Sequence, residues 1–162
     1  MGNVIPIRGD NQVSVPPGPP QNVDDLLFVC RLEISRGRLE EARKTATAFA
    51  DRVRDGRRFH ASERFRRLAY AWYILSLAAY NVCQSKPDGE VYSFLIVFFQ
   101  TYKTATWYFL QYVQFFNHHD RLELPENRIR DDLDTMYNNI YRTWGPGRAG
   151  RADLAANQLV SV

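Results

Sequence analysis

The chain has 162 residues, a formal net charge of +3, 45% hydrophobic and 14% aromatic residues. That length suits one domain rather than two, and the apolar content excludes a disordered chain. Of its 21 basic residues only Lys44, Lys86 and Lys103 are lysines. The Arg bias fits phosphate or carboxylate recognition, and equally fits Arg-rich codon usage.

Two cysteines, Cys30 and Cys83, fall inside apolar helical patterns and read as buried thiols, not as a metal or disulfide framework. The polar, Pro-rich start has no apolar run of the signal-peptide kind. Met1-Gly2 opens a poor acylation signal, because Pro6 stands where Ser or Thr is usual.

Residues 1–21 hold five prolines and three glycines, so they read as a flexible N-terminal arm. A first helix then starts at Asn22 as N-cap, with Asp24 and Asp25 in its first turn and Gly37 after its end. Its apolar face is Val23, Leu26, Leu27, Cys30 and Ile34. A second helix carries Leu39, Ala42, Ala46, Phe49 and Val53 at helical spacing and stops near Gly56. The short connection makes these two helices antiparallel neighbours.

Ser62 reads as N-cap of a third helix that ends near Ser85, before the Lys86-Pro87-Asp88-Gly89 turn. Its expected core stripe is Leu68, Trp72, Leu75, Ala79 and Val82. The fourth segment, residues 90–117, is rich in strand-favouring residues. Strict alternation is absent, however, and Val91, Leu95, Phe98, Tyr102, Ala105, Phe109, Tyr112 and Phe116 recur at helical spacing. Lys103 at its centre argues against membrane insertion, at a cost of about 2.5–3.5 kcal/mol. Pro125 and Glu126 open a fifth helix with the stripe Ile129, Leu133, Met136, Ile140 and Trp144, closed by Gly145.

The expected fold is therefore all-α: a four- to five-helix bundle over residues 22–144, between Pro/Gly-rich flexible arms at 1–21 and 145–162. Surplus tyrosines along the core stripes exceed what so small a bundle can hide and favour subunit interfaces.

No motif for catalysis, nucleotide phosphates or zinc occurs, so neither an enzyme nor a cofactor or small-molecule substrate is expected. His118 and His119 read as a solvated helix end favoured by the C-terminal dipole, not as metal ligands. The charge layout carries more. Residues 52–67 hold Arg52, Arg54, Arg57, Arg58, Arg64, Arg66 and Arg67 against Asp55 and Glu63, interleaved with Phe59 and Phe65. Such a patch suits phosphate contact with stacked bases, or a solvated face paired with nearby acids. Arg57, Arg58, Arg64 and Arg67 are its candidate RNA ligands. A cluster of acids between Asp120 and Asp134 is its counterpart. Opposite patches on one subunit fit a head-to-tail contact, and intramolecular pairing between them fits equally.

Several short motifs resemble the coat proteins of rod-shaped plant viruses of the tobamovirus type. They are Leu26-Leu27-Phe28-Val29-Cys30, Glu41-Ala42-Arg43 with Phe49, Arg58-Phe59 leading to Ser62 and Phe65, and Arg128-Ile129-Arg130-Asp131-Asp132 with Asn138-Asn139 downstream. The fourth segment is longer and more aromatic than in that family, and the C-terminal Phe-Glu motif is missing. The resemblance implies a helical coat protein that packages viral genomic RNA, located in the virion and the host cytoplasm. It implies that Arg128 and Arg130 contact RNA phosphates, and that Asp131 and Asp132 lie near the RNA or a subunit contact. The implied partners are single-stranded RNA and further copies of the chain. The alternative reading is a small helical adaptor of bacterial or phage origin that grips an acidic protein.

Overall fold

The structure, a computed structural model, describes residues 18–56 and 58–160. All regular secondary structure among these residues is helical. α1 (Val23–Ser35) begins where the Asn22 side chain accepts the Asp25 N–H at 2.8 Å. Gly37, at φ 75°, turns the chain into α2 (Leu39–Asp55). That left-handed backbone is open to glycine at no steric cost. Val23, Leu26 and Cys30 of α1 and Ala42, Ala46, Phe49 and Val53 of α2 are buried, so both stripes face the core.

α3 (Ala61–Ser85) starts two residues earlier than its Ser62 reading, because the His60 ring accepts the Ser62 N–H at 3.2 Å. It packs against α1, α2, α4 (Tyr92–Val113) and α6 (Asn127–Val160). A helix with four neighbours buries most of its circumference. Accordingly Ala69, Tyr70, Ala71, Tyr73, Ile74, Ser76, Ala78 and Cys83 are buried beside the expected Leu68 and Ala79, while Trp72 and Leu75 sit partly buried. The buried Ser76 hydroxyl donates to Trp72 O at 2.9 Å and so leaves no unmet polar group.

A short 3-10 turn (Asp88–Glu90) leads into α4, which is helical despite its strand-favouring composition. Val91, Leu95, Phe98, Ala105, Phe109 and Tyr112 of its helical stripe are buried. A continuous apolar face settles the conformation, and intrinsic preference yields to it. Phe98 and Phe99 are fully buried, each worth about 1.5–3 kcal/mol of transfer free energy. Phe99 meets Tyr137 and Tyr141 edge-on at 5.6 and 5.8 Å, joining α4 to α6. Among the described residues, no helix is long and apolar enough to cross a membrane.

α5 (His118–Arg121) is a single turn capped by Asn117, whose side chain accepts the Asp120 N–H at 2.8 Å. His118 and His119 therefore open a helix instead of closing one, because Asn117 ends the preceding turn and caps the next. Ile129, Leu133, Met136 and Ile140 of α6 are buried as their spacing requires.

The expected C-terminal arm needs correction where the structure describes it. Gly145 (φ 83°, ψ 155°) breaks α6 as expected, but the helix resumes and runs to Val160. Proline is compatible with the first turn of a helix, so Pro146 restarts it. Ala149, Ala152 and Ala156 then recur at three- and four-residue spacing and are fully buried. Small residues that look featureless in sequence form a packing face here. At the other end Pro20 is buried, whereas residues 1–17 lie outside the described residues.

Lys103 fastens the resumed helix. Its ammonium donates to the Asp153 carboxylate, to Asp153 O at 3.0 Å and to Asn157 Oδ1 at 2.6 Å. Tyr137 and Tyr141 donate to the other Asp153 oxygen at 2.9 and 2.7 Å. Burial alone would raise the Asp153 pKa, but Lys103 and the two phenols outweigh it and hold the carboxyl below its usual value. Lys103→Met keeps the apolar stem and removes the ammonium. Amide exchange across residues 146–160 is expected to quicken on the order of tenfold, since a hydrogen bond to a charged group contributes about 1.5–3 kcal/mol. Exchange elsewhere in α3 and α4 is expected to stay within about twofold, as distant sites act independently.

Candidate nucleic-acid interface

The arginine-rich stretch folds into two populations with different work. Arg66 and Arg67 lie on the first turns of α3 and face inward. Arg66 Nε donates to Glu126 at 3.1 Å and its Nη1 to Glu63 at 3.1 Å. Glu126 is only 4% exposed and also accepts the Tyr70 and Tyr112 hydroxyls at 3.3 and 3.2 Å. Burial and the adjoining carboxylate raise the Tyr112 pKa to about 12 and push Tyr70 further up. Arg67 donates to Glu63 at 2.8 Å and to Gln21 O at 2.9 Å, with 13% of its side chain exposed. Arg64 donates to the backbone carbonyls of Gly56 and Arg54, closing the α2–α3 loop. Arg54 pairs with Asp51.

The second population stays at the surface. Arg52 and Arg58 are exposed and have no carboxylate within ion-pair reach among the described residues. They line a cleft of about 280 Å³ between the end of α2 and the start of α3. Its other walls are Phe49, Phe59, Arg67 and the residues entering α1, Pro20 and Gln21. The Phe59 ring lies 4.1 Å from the Arg67 guanidinium and 5.0 Å from that of Arg58. Arg52 reaches across to Pro20 O at 3.2 Å. The cleft thus offers unneutralised guanidinium donors beside an aromatic face, a pairing that binds phosphate and stacks bases.

Of the candidate ligands, Arg58 and Arg67 line this cleft, while Arg64 does not. Arg57 lies outside the described residues. Arg128, exposed on the first turn of α6, has no acidic partner among the described residues, whereas Arg130 faces Asp134 at 3.7 Å and covers the Phe109 ring at 5.9 Å. Neither is part of the cleft. Asp131 is exposed. Asp132 accepts the Tyr73 hydroxyl at 2.7 Å, a contact that with burial lifts the Tyr73 pKa to about 12.

Three acids of the cluster are tied to the helices by tyrosines, while Asp120, Glu123 and Asp131 stay exposed. Glu126, Asp132 and Asp134 accept from tyrosines of α3 and α4, with Tyr102 donating to Asp134 at 3.0 Å. Of the surplus tyrosines, Tyr70 and Tyr73 serve these acids, and Tyr137 and Tyr141 serve Asp153. Arg52 belongs to the arginine patch read from the sequence but not to its candidate ligands, and Phe49, Pro20 and Gln21 were missed as cleft walls. Phe59 carried the available signal, as an aromatic set among arginines.

No protein-family model, no curated protein and no solved structure matches this chain. Among the described residues, no group of three or more His, Cys, Asp and Glu side chains could hold a metal ion.

The two arginine populations separate in a denaturation experiment. Arg66→Ala strips a buried carboxylate of its cation, and urea unfolding is expected to show a loss of about 2–3 kcal/mol, discounted for its partial exposure. Arg58→Ala is expected to change stability by no more than about 0.5 kcal/mol. Equal losses would show that the division between inward and surface arginines is wrong.

Proposed function

We propose that this chain is a structural, non-enzymatic coat protein that binds single-stranded RNA and assembles with further copies of itself around a viral genome. The observation that carries this reading is the cleft in which Arg52 and Arg58, free of carboxylates among the described residues, stand beside Phe59. Such a site favours an extended polyanion with accessible bases over a neutral or metal ligand.

In this reading the packed helices act as one rigid bundle whose outer surface makes the contacts between copies. Val97, Trp107 and Leu110 of α4, and Phe115 just after it, are exposed. The only charge on α4, Lys103, is taken up by Asp153. An uncharged apolar surface of this kind supports self-association. The resemblance to rod-shaped plant virus coat proteins points the same way, and implies a location in the virion and the host cytoplasm. Arg128 remains available for a second phosphate contact. Asp131 is the better of the two carboxylates for a subunit contact, because Asp132 already holds Tyr73.

Electron microscopy of negatively stained protein, with and without RNA, tests the proposal. Rods or discs are expected, together with RNA affinity that falls steeply with salt as bound counterions are released. A monomer under all pH and salt conditions would end the coat reading.

A further inference from the structure

The cleft is small: about 280 Å³ lies just below the usual range for small-molecule sites. A folded partner cannot enter it, and the groups that line it are those a single nucleotide uses. We propose that the cleft takes one unpaired nucleotide, with its base stacked on Phe59 and its phosphate bridging Arg52 and Arg58. The proposal rests on the RNA-coating reading and specifies the ligand of the same site.

Three features carry it. The first is that the aromatic platform is fixed. Phe59 is half-buried, and the Arg67 guanidinium beside it is itself tied to Glu63 and Gln21 O. Arg67 is thus a positioning residue, with its charge already answered by Glu63.

The second feature is that Arg52 and Arg58 hold donors in reserve. A guanidinium has five N–H groups. Arg52 donates one to Pro20 O, and Arg58 lies 5.0 Å from the Phe59 centroid with no carboxylate partner among the described residues. A base entering over Phe59 takes the place of the exposed Arg58 guanidinium, which turns to the phosphate. Arg52 leaves Pro20 O or shares its fork with the ligand.

The third feature is the character of the remaining walls. Phe49, Val53 and Pro20 are apolar, and Gln21 is the one uncharged side chain there able to read a base edge. Stacking therefore dominates over edge recognition, and the site is tolerant of sequence, since every base has a π-face. A base within a duplex is covered on both faces, so only an unpaired one fits.

The test titrates the full-length chain with uridine monophosphate, uridine and inorganic phosphate, followed by amide chemical shifts and calorimetry. The monophosphate is expected to bind at least about tenfold more tightly than either fragment, the size of one base-on-aromatic stack. Shifts should centre on Gln21, Val53, Gly56 and Phe59. Phe59→Leu should reduce the monophosphate to the level of phosphate, and Arg52→Gln with Arg58→Gln should abolish both. Equal affinity of the wild-type chain for monophosphate and phosphate overturns the proposal in favour of a bare anion site. No binding, or full monophosphate affinity in Phe59→Leu, also overturns it. Long RNA assayed on the same variants separates the two readings. Assembly on RNA by a chain whose cleft binds no mononucleotide removes this inference alone. Mononucleotide binding by a chain that never assembles removes the coat reading and leaves the pocket. Thermal unfolding of each variant within a few degrees of wild type establishes that the fold is intact.

Discussion

A carboxylate that is 4% exposed organises this molecule. Glu126 cannot remain charged away from water without partners, and the chain supplies three from two other helices. Arg66 and Tyr70 come from α3 and Tyr112 from α4. The knot fixes where the turn after α5 must run and hence where α6 begins. The same chemistry recurs along α6, with Tyr73 on Asp132, Tyr102 on Asp134, and Tyr137 and Tyr141 on Asp153. In each case the ring adds apolar area and the hydroxyl satisfies an acid, which is how a tyrosine-rich core avoids unmet polar groups.

This arrangement shapes the surface by subtraction. Glu126 is committed inward and Asp134 is shared between Tyr102 and Arg130, while Arg52, Arg58 and Arg128 are left without carboxylates among the described residues. The modest net charge of +3 conceals that asymmetry. The proposed RNA contact depends on it, because a phosphate competes poorly for an arginine already bound to a carboxylate.

What could be read from the sequence was mostly local. The Asn22 cap, the α2 stripe, the Gly37 and Gly145 breaks and the helical period of α4 each rest on residues within a few positions of one another. The rest depends on distant partners. Arg66 and Glu126 are 60 residues apart, and Tyr73 and Asp132 are 59 apart. No periodicity marks such pairs, so a contiguous arginine run looked like one surface when it is two populations. The α3 stripe was read as one face because its four neighbours were unknown. The helix after Gly145 was hidden by Pro146 and by alanines whose burial needs α4 in place. For the candidate site, Arg58 and Phe59 were legible together, whereas Arg52, Pro20 and Gln21 join them only through the α1–α2–α3 packing.

The most direct test of the tyrosine–carboxylate organisation is an alkaline titration that follows phenolate absorbance and helical circular dichroism together. Tyr70, Tyr73, Tyr102, Tyr112, Tyr137 and Tyr141 all have pKa values raised above 10.0, first by burial and then by their acid partners. A group with a raised folded-state pKa contributes its full stabilisation below the unfolded value near 10 and loses it as pH climbs through the folded value. The expected result is that these six phenols stay protonated past pH 10 and ionise together with loss of helix, Tyr73 and Tyr112 near pH 12. Ionisation of most of the nine tyrosines near pH 10 with the helices intact would contradict it.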